Sequence, residues 1–209
     1  MDNEQRHKRL RLLIKKLNKE RRKQSKKIDI LCNDFISAQK DFIMKLKTIS
    51  FMAGFYESII GISDLSDLLS NAARLIKAEH PDVSITFFLR QGDNFEIHMF
   101  ECEHPIAFAK QHLENCFSHE LMDSICKSNK ICTLDDMFAM GLQGNLVGLN
   151  KVSVLTIPLS EFGSSLGFMM ICRSSENKLT VEQVDNISSV ICGICRAIVS
   201  CRTVSHNSN

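Results

Sequence analysis

The sequence predicts an α+β fold, an antiparallel sheet covered by helices and preceded by a long N-terminal coiled-coil helix. Three observations predict it. Between Leu10 and Ile59 apolar residues recur at steps of three and four, which is the repeat of a helix with one buried seam. Two stretches further on have the alternation and turn residues of β-hairpins. A capped helix with another repeat of threes and fours then closes the chain.

In the first helix, heptad d positions fall at Leu10, Leu17, Gln24, Leu31, Ala38, Lys45, Met52 and Ile59, and a positions at Ile14, Arg21, Ile28, Phe35, Phe42, Ile49 and Tyr56. Twelve of these fifteen sites are apolar, far more than a solvated helix needs. Fifty helical residues would span about 75 Å, too far for a small domain to cover, so the seam is expected to pair with a second copy. Leu17, Ile28, Leu31, Phe35, Phe42 and Ile49 are its predicted contacts.

The remaining part of the 209 residues, about 145, is the size of one domain with its own core. The sequence divides into an arm and coiled-coil helix over 1–61, a globular domain over 62–202, and a short disordered tail over 203–209. No run approaches the roughly 18 consecutive apolar residues of a membrane span, and the first residues lack a secretory core. The expectation is a cytoplasmic protein without a transmembrane segment. Nine cysteines at irregular spacings fit reduced, mostly buried thiols.

The net charge of +2 hides an asymmetry. Residues 1–27 hold twelve Lys or Arg against Asp2, Glu4 and Glu20, giving +9, so the rest carries −7. An arm from Arg6 to Lys27 of this kind suits an anionic partner: nucleic acid, an anionic membrane surface or an acidic protein. It also suits a solvated coiled-coil end. No aromatic residue precedes Phe35, so no stacking platform for single strands exists there. Leu10, Leu13, Ile14 and Leu17 fit an interfacial helix as well.

Gly61-Ile62-Ser63 breaks the long helix, and Asp64 with Asp67 starts a second, whose Leu65, Leu68, Leu69, Ala72, Ala73 and Ile76 share a face before His80-Pro81 ends it. Val83–Leu89, a turn at Gln91-Gly92-Asp93-Asn94 and Phe95–Glu101 form the first hairpin. A helix follows Ser118, then a short strand over 130–134 and a loop over 135–148. The second hairpin joins 151–159 to 166–173 through Glu161-Phe162-Gly163-Ser164. Its second strand is apolar on both sides, which predicts a central position. Thr180 and Gln183 form a capping box, and Val184, Ile187, Ile191, Ile194, Ile198 and Cys201 follow as a second seam. Ile187, Ile191 and Ile194 are therefore expected at a dimer interface, within a four-helix bundle made by two chains.

Ser153-Val154-Leu155-Thr156-Ile157-Pro158-Leu159, then Gly163 and Leu166-Gly167-Phe168, then Thr180-Val181-Glu182-Gln183-Val184 resemble the GAF domain family. The resemblance runs from about residue 62 to 200, two-thirds of the chain. It implies a GAF-like antiparallel sheet with a dimerising helical layer on one face and a ligand pocket, or its remnant, on the other. It also implies a regulatory or sensory role, in a family that binds cyclic nucleotides, tetrapyrroles, haem or small metabolites. Asn129-Lys130 followed by Ile131-Cys132-Thr133-Leu134-Asp135-Asp136 lacks the Phe of the cyclic-nucleotide signature. Cys116 and His119 stand where bilin-binding members use a Cys-His pair, but their surroundings differ. Val147-Gly148-Leu149-Asn150-Lys151-Val152 lacks the catalytic cysteine of the methionine sulfoxide reductase branch. No output segment follows the last helix, so a protein partner is expected.

The first hairpin is expected to turn Val83, Ile85, Phe87, Leu89, Phe95, Ile97 and Met99 to the helices. The opposite face would then hold Thr86, Phe88, His98, Phe100 and Cys102, either a ligand pocket or a half-solvated surface. With Cys116, His119 and Phe138 these are the pocket candidates. The cofactor is unknown; haem or a small metabolite would suit such a wall. The His and Cys residues around 98–119 lack the spacing of a zinc site, so no metal is expected. The spacing of Cys192 and Cys195 is that of a redox motif placed mid-helix, where packing or dimer contact is the simpler reading. No acid/base or nucleophilic constellation is visible, and the chain is not expected to be an enzyme. The leading function is a dimeric regulatory module; the alternatives are an adaptor with a filled pocket, acting through stalk and arm, and, more distantly, a GAF-type thiol redox enzyme.

Overall fold

The structure, a computed structural model, describes residues 3–100, 116–143 and 152–207. The chain comprises two compact units, Met1–Ser50 and Phe51–Asn209. The described residues of the first are all helical, part of α1 (Asn3–Ile59). Its seam residues are open: Leu17 is 74% exposed, Leu31 67%, Phe35 70% and Phe42 62%. Propensity alone does not hold so long a helix, and an apolar stripe left in water is a face that lacks its cover.

The boundary falls earlier than the sequence suggests, because Phe51, Met52, Phe55, Tyr56 and Ile59 pack into the core of the second unit. After Gly61, at φ 85°, Asp64 caps α2 (Leu65–Glu79) by accepting from the Asp67 amide at 2.9 Å. The strands are β1 (Ser84–Gln91), β2 (Asn94–Phe100), β3 (Cys132–Thr133), β4 (Val152–Glu161) and β5 (Ser164–Ser174). They form one antiparallel sheet in the order β2-β1-β5-β4-β3. As expected, β5 is central, and Leu166 to Arg173 are buried without a break.

Between the hairpins lie α3 (His119–Ser128), capped by Ser118, and α4 (Leu134–Ala139). The second of these takes the place of the first part, 135–139, of the loop expected over 135–148, whose residues 144–148 lie outside the described ones: Thr133 accepts from the Asp136 amide and Asp136 accepts from the Thr133 amide, so a box closes with Asp where Glu or Gln is usual. The last helix, α5 (Val181–Asn207), begins at the predicted box, Thr180 amide to Gln183 at 3.0 Å and Gln183 amide to Thr180 at 3.2 Å. It continues through Asn207 instead of giving way to a tail at 203, since residues 203–207 contain neither Pro nor Gly.

Two apolar layers cover the sheet. One face packs Ile85, Phe87, Leu89, Ile157, Met169 and Ile171 against the end of α1, α2 and α5. The other packs Phe88, Phe168, Met170 and Val154 against α3 and α4. Ile187 and Ile194 in α5 are wholly buried inside the first layer, so they are core residues and not the expected dimer contacts. The repeat in α5 faces the chain's own sheet; Ile191 alone of the three stays partly open. Over Val181–Val204 this helix also has the length and mean hydropathy, 1.5, of a membrane span. Part of its apolar content covers the sheet, as Val190 and Ile198 are fully buried too, and 39% of that window is buried in all.

Gly167 holds the two hairpins together. Its φ is 134°, and a Cβ there would lie 1.9 Å from the Phe88 carbonyl oxygen. Gly167→Ala is expected to lower stability by about 3 kcal/mol or more, or to prevent folding, read as the urea midpoint against wild type.

Candidate functional site

The two-residue turn of the first hairpin decides which side chains share a face. Gln91 pairs with Asn94 across Gly92, whose φ is 63°, so Thr86 lies opposite Met99, Phe87 opposite His98 and Phe88 opposite Ile97. Directly opposed residues point to one face, so an odd-numbered residue on β1 shares its face with an even-numbered one on β2. This reverses the expected assignment of β2. Phe95, Ile97 and Met99 join Phe88 on the pocket-side layer, while His98 and Phe100 turn to the helix-covered face. His98 there lies 3.2 Å from Glu96, and Phe100 sits edge-on to Phe87 at 6.0 Å. Neither belongs to the pocket-side wall.

Of the other candidates, Thr86 and Phe88 are buried on the pocket side. Cys116 and Phe138 pack against that layer, and burial pushes the Cys116 thiol up. His119, exposed at the start of α3, stands edge-on to Phe95 at 5.8 Å and 3.7 Å from Asp123. Cys102 lies outside the described residues. The wall is dominated by phenylalanine: Phe88 stacks on Phe168 at 4.5 Å, and Phe117 lies 5.1 Å from Phe88 and 6.2 Å from Phe168. Phe117 and Phe168 do not stand out as a cluster in the sequence, although both are visible apolar positions; the β1–β5 register sets Phe168 opposite Phe88, and Phe117, just before the Ser118 cap of α3, packs on both. At the rim, Arg90 pairs with Asp123 and lies 5.1 Å over the Phe95 ring. Among the described residues no group of three His, Cys, Asp or Glu could hold a metal ion.

A second concave surface, about 440 Å³, lies between the end of α1 and α5. Tyr56, Ile60, Ile62, Cys192, Arg196 and Ser200 line it. Tyr56 donates to the Ser189 carbonyl at 3.1 Å, and its ring covers Gly193, where a Cβ would come within 2.0 Å of it. Burial, the largest cause, raises the Tyr56 hydroxyl. Sequence reasoning missed this groove, although a glycine in mid-helix was its signal. Ile60, 78% exposed at its edge, leaves it apolar and open.

The two cysteines of the redox-motif spacing in α5 are unlike. Cys192 is exposed, whereas Cys195 is buried and its thiol is pushed up to about 12. Redox motifs depend on a lowered thiol pKa, so this environment works against thiol chemistry at neutral pH. In the unfolded chain the thiol titrates near 9.0. Between there and about 12 the unfolded state loses a proton that the folded state keeps, so folding stability falls as pH rises, by up to about 1.4 kcal/mol per unit from this group. Unfolding curves from pH 8 to 11 are expected to show that fall, and Cys195→Ala, though less stable at pH 8, is expected to show a shallower one.

No protein-family model matches the chain, and no curated protein matches it. Solved structures do. A GAF domain from a phosphoenolpyruvate-protein phosphotransferase of Coxiella burnetii superposes with a TM-score of 0.56 at 11% identity, covering 77% of this chain and 98% of that one. The GAF domain/HD domain protein of Geobacter sulfurreducens gives 0.55 at 14% identity, over 69% and 98%. Part of a methyl-accepting chemotaxis protein gives 0.53 at 16% identity, over 72% and 98%. With its central β5, helices on both faces and this match across nearly the full length of each neighbour, the chain has a GAF-like fold.

Proposed function

We propose that the chain is a regulatory or sensory GAF module that works as a dimer in the cytoplasm, binds a small ligand or a partner protein, and passes its state on through paired helices. One observation carries the reading: α1 presents Leu17, Ile28, Leu31, Phe35, Phe42 and Ile49 open to solvent, each at least 58% exposed, along a single heptad seam. The same helix ends in Phe55 and Ile59, both buried in the sheet-bearing unit, so a change in that core has a covalent route into the seam. Coupling requires that the ligand or partner bind one helical packing better than another, since only a difference of affinities shifts an equilibrium. The structurally similar chemotaxis protein has a name that fits sensing.

The phenylalanine cluster favours one second reading. Phe88, Phe117 and Phe168 fill space with one another, as in an adaptor whose pocket is closed by its own side chains. Native mass spectrometry of the purified protein separates the two. A retained metabolite, or visible absorption from haem or a tetrapyrrole, supports ligand sensing, and a bare polypeptide mass supports the filled pocket. We assign no catalytic activity on either reading.

The dimer is tested directly by replacing Leu31, Phe35 and Phe42 with Glu. Light scattering is expected to show mass falling from two chains to one with the sheet unit still folded. An unchanged mass, or a wild-type protein already of single-chain mass at micromolar concentration, overturns the seam.

A further inference from the structure

The basic residues of the arm are ordered as well as numerous. Lys8, Arg11, Lys15, Lys19, Arg22 and Lys26 follow one another at steps of three or four within α1, and at about 100° per residue they fall inside an arc roughly 80° wide. All six are exposed. Five of them, with Ile14, Asn18 and Lys23 at its edges, line one shallow groove along the helix. Among the described residues none of the six has a carboxylate within ion-pair distance. Glu20, the one acid between Lys8 and Lys26, lies off this row and pairs with Lys23 at 3.1 Å. Six like charges on one face repel one another, and nothing within the arm compensates them.

The apolar stripe of the arm, Leu10, Ile14 and Leu17, is centred roughly 135° round the helix from the basic row. It continues the seam of Leu31, Phe35 and Phe42. Pairing along the seam would therefore leave the basic rows facing outward. A lipid surface would need the stripe that the seam uses, and Arg21 and Gln24 interrupt it for that purpose. The arm has no aromatic side chain on which unpaired bases could stack. A straight row of cations on an α-helix, which the roughly 12 Å major groove of a duplex admits, is complementary to a phosphate backbone carrying a charge about every 1.7 Å.

We propose that this row binds the phosphate backbone of a double-stranded nucleic acid, without base specificity. The inference rests on the arm alone and stands or falls separately from the sensory reading. The test is fluorescence anisotropy of the full chain with a labelled DNA duplex of arbitrary sequence and about 25 base pairs, from 50 to 200 mM salt. Affinity is expected to fall steeply, with a slope of log K against log salt near −5 for six contacts. Changing Lys15, Lys19 and Arg22 to Gln, which keeps helix propensity, is expected to make that slope shallower by about 3. The same substitution at Arg9, Lys16 and Lys27, equal in charge but off the row, is expected to change it by less than 1. Circular dichroism confirms that both variants remain helical. Equal loss in the two variants, no duplex binding at 50 mM salt, tighter binding to a single strand, or binding to phosphatidylserine vesicles or polyglutamate in preference to duplex would each overturn the proposal.

Discussion

The pairing of β1 with β5 is the constraint on which the sheet-bearing unit depends. In the order β2-β1-β5-β4-β3 it is the one seam joining the first hairpin to the rest of the sheet. The register places Leu89 opposite Gly167 and Phe88 opposite Phe168. Because Gly167 lacks a side chain, the Phe88 backbone can come close enough for the two rings to stack at 4.5 Å. The layer beneath α3 and α4 is built around that stack, and the layer beneath the terminal helices is built on the alternate residues of the same two strands. One close backbone approach thus supports both cores.

Much of this could be read from residue order. The helix starts at Asp64, Ser118 and Thr180 were visible because side-chain oxygens in those positions satisfy amides that no earlier turn can reach. Both hairpins were visible from turn residues, and the central place of β5 from its lack of alternation. The failures share a physical cause: periodicity identifies an apolar face without saying what covers it. Ile187 and Ile194 repeat like coiled-coil residues, yet they cover the chain's own sheet. His98 and Phe100 alternate correctly, but the turn length sets which face their strand presents, and two loop residues put them opposite the expected side. The short α4 escaped because Asp136 closes its box in place of a longer acid.

Charge is divided as sharply as packing. Within residues 1–27 twelve cations face three acids, whereas the remainder of the chain is net acidic. Like charges along a single helix weaken it by self-repulsion, so an arm of this composition is tolerated where a counter-charge or a function offsets the cost. The sheet-bearing unit follows a different rule: its described buried polar groups are few, Thr86, Thr156, His80 and Arg173, and the Arg173 guanidinium reaches Asp82 at 3.1 Å. Burial of His80 holds its imidazole below the ordinary range and so neutral near pH 7.

Tyr56 resting on Gly193 acts as a mechanical detent. One turn to either side along α5 the ring would meet Ser189 or Ala197, each with a Cβ where the glycine has none. Small sliding or twisting between these two helices is therefore resisted, and a displacement large enough to free the ring also breaks its bond to the Ser189 carbonyl. Such a contact opposes gradual displacement of the end of α1 along α5 until the ring leaves the glycine.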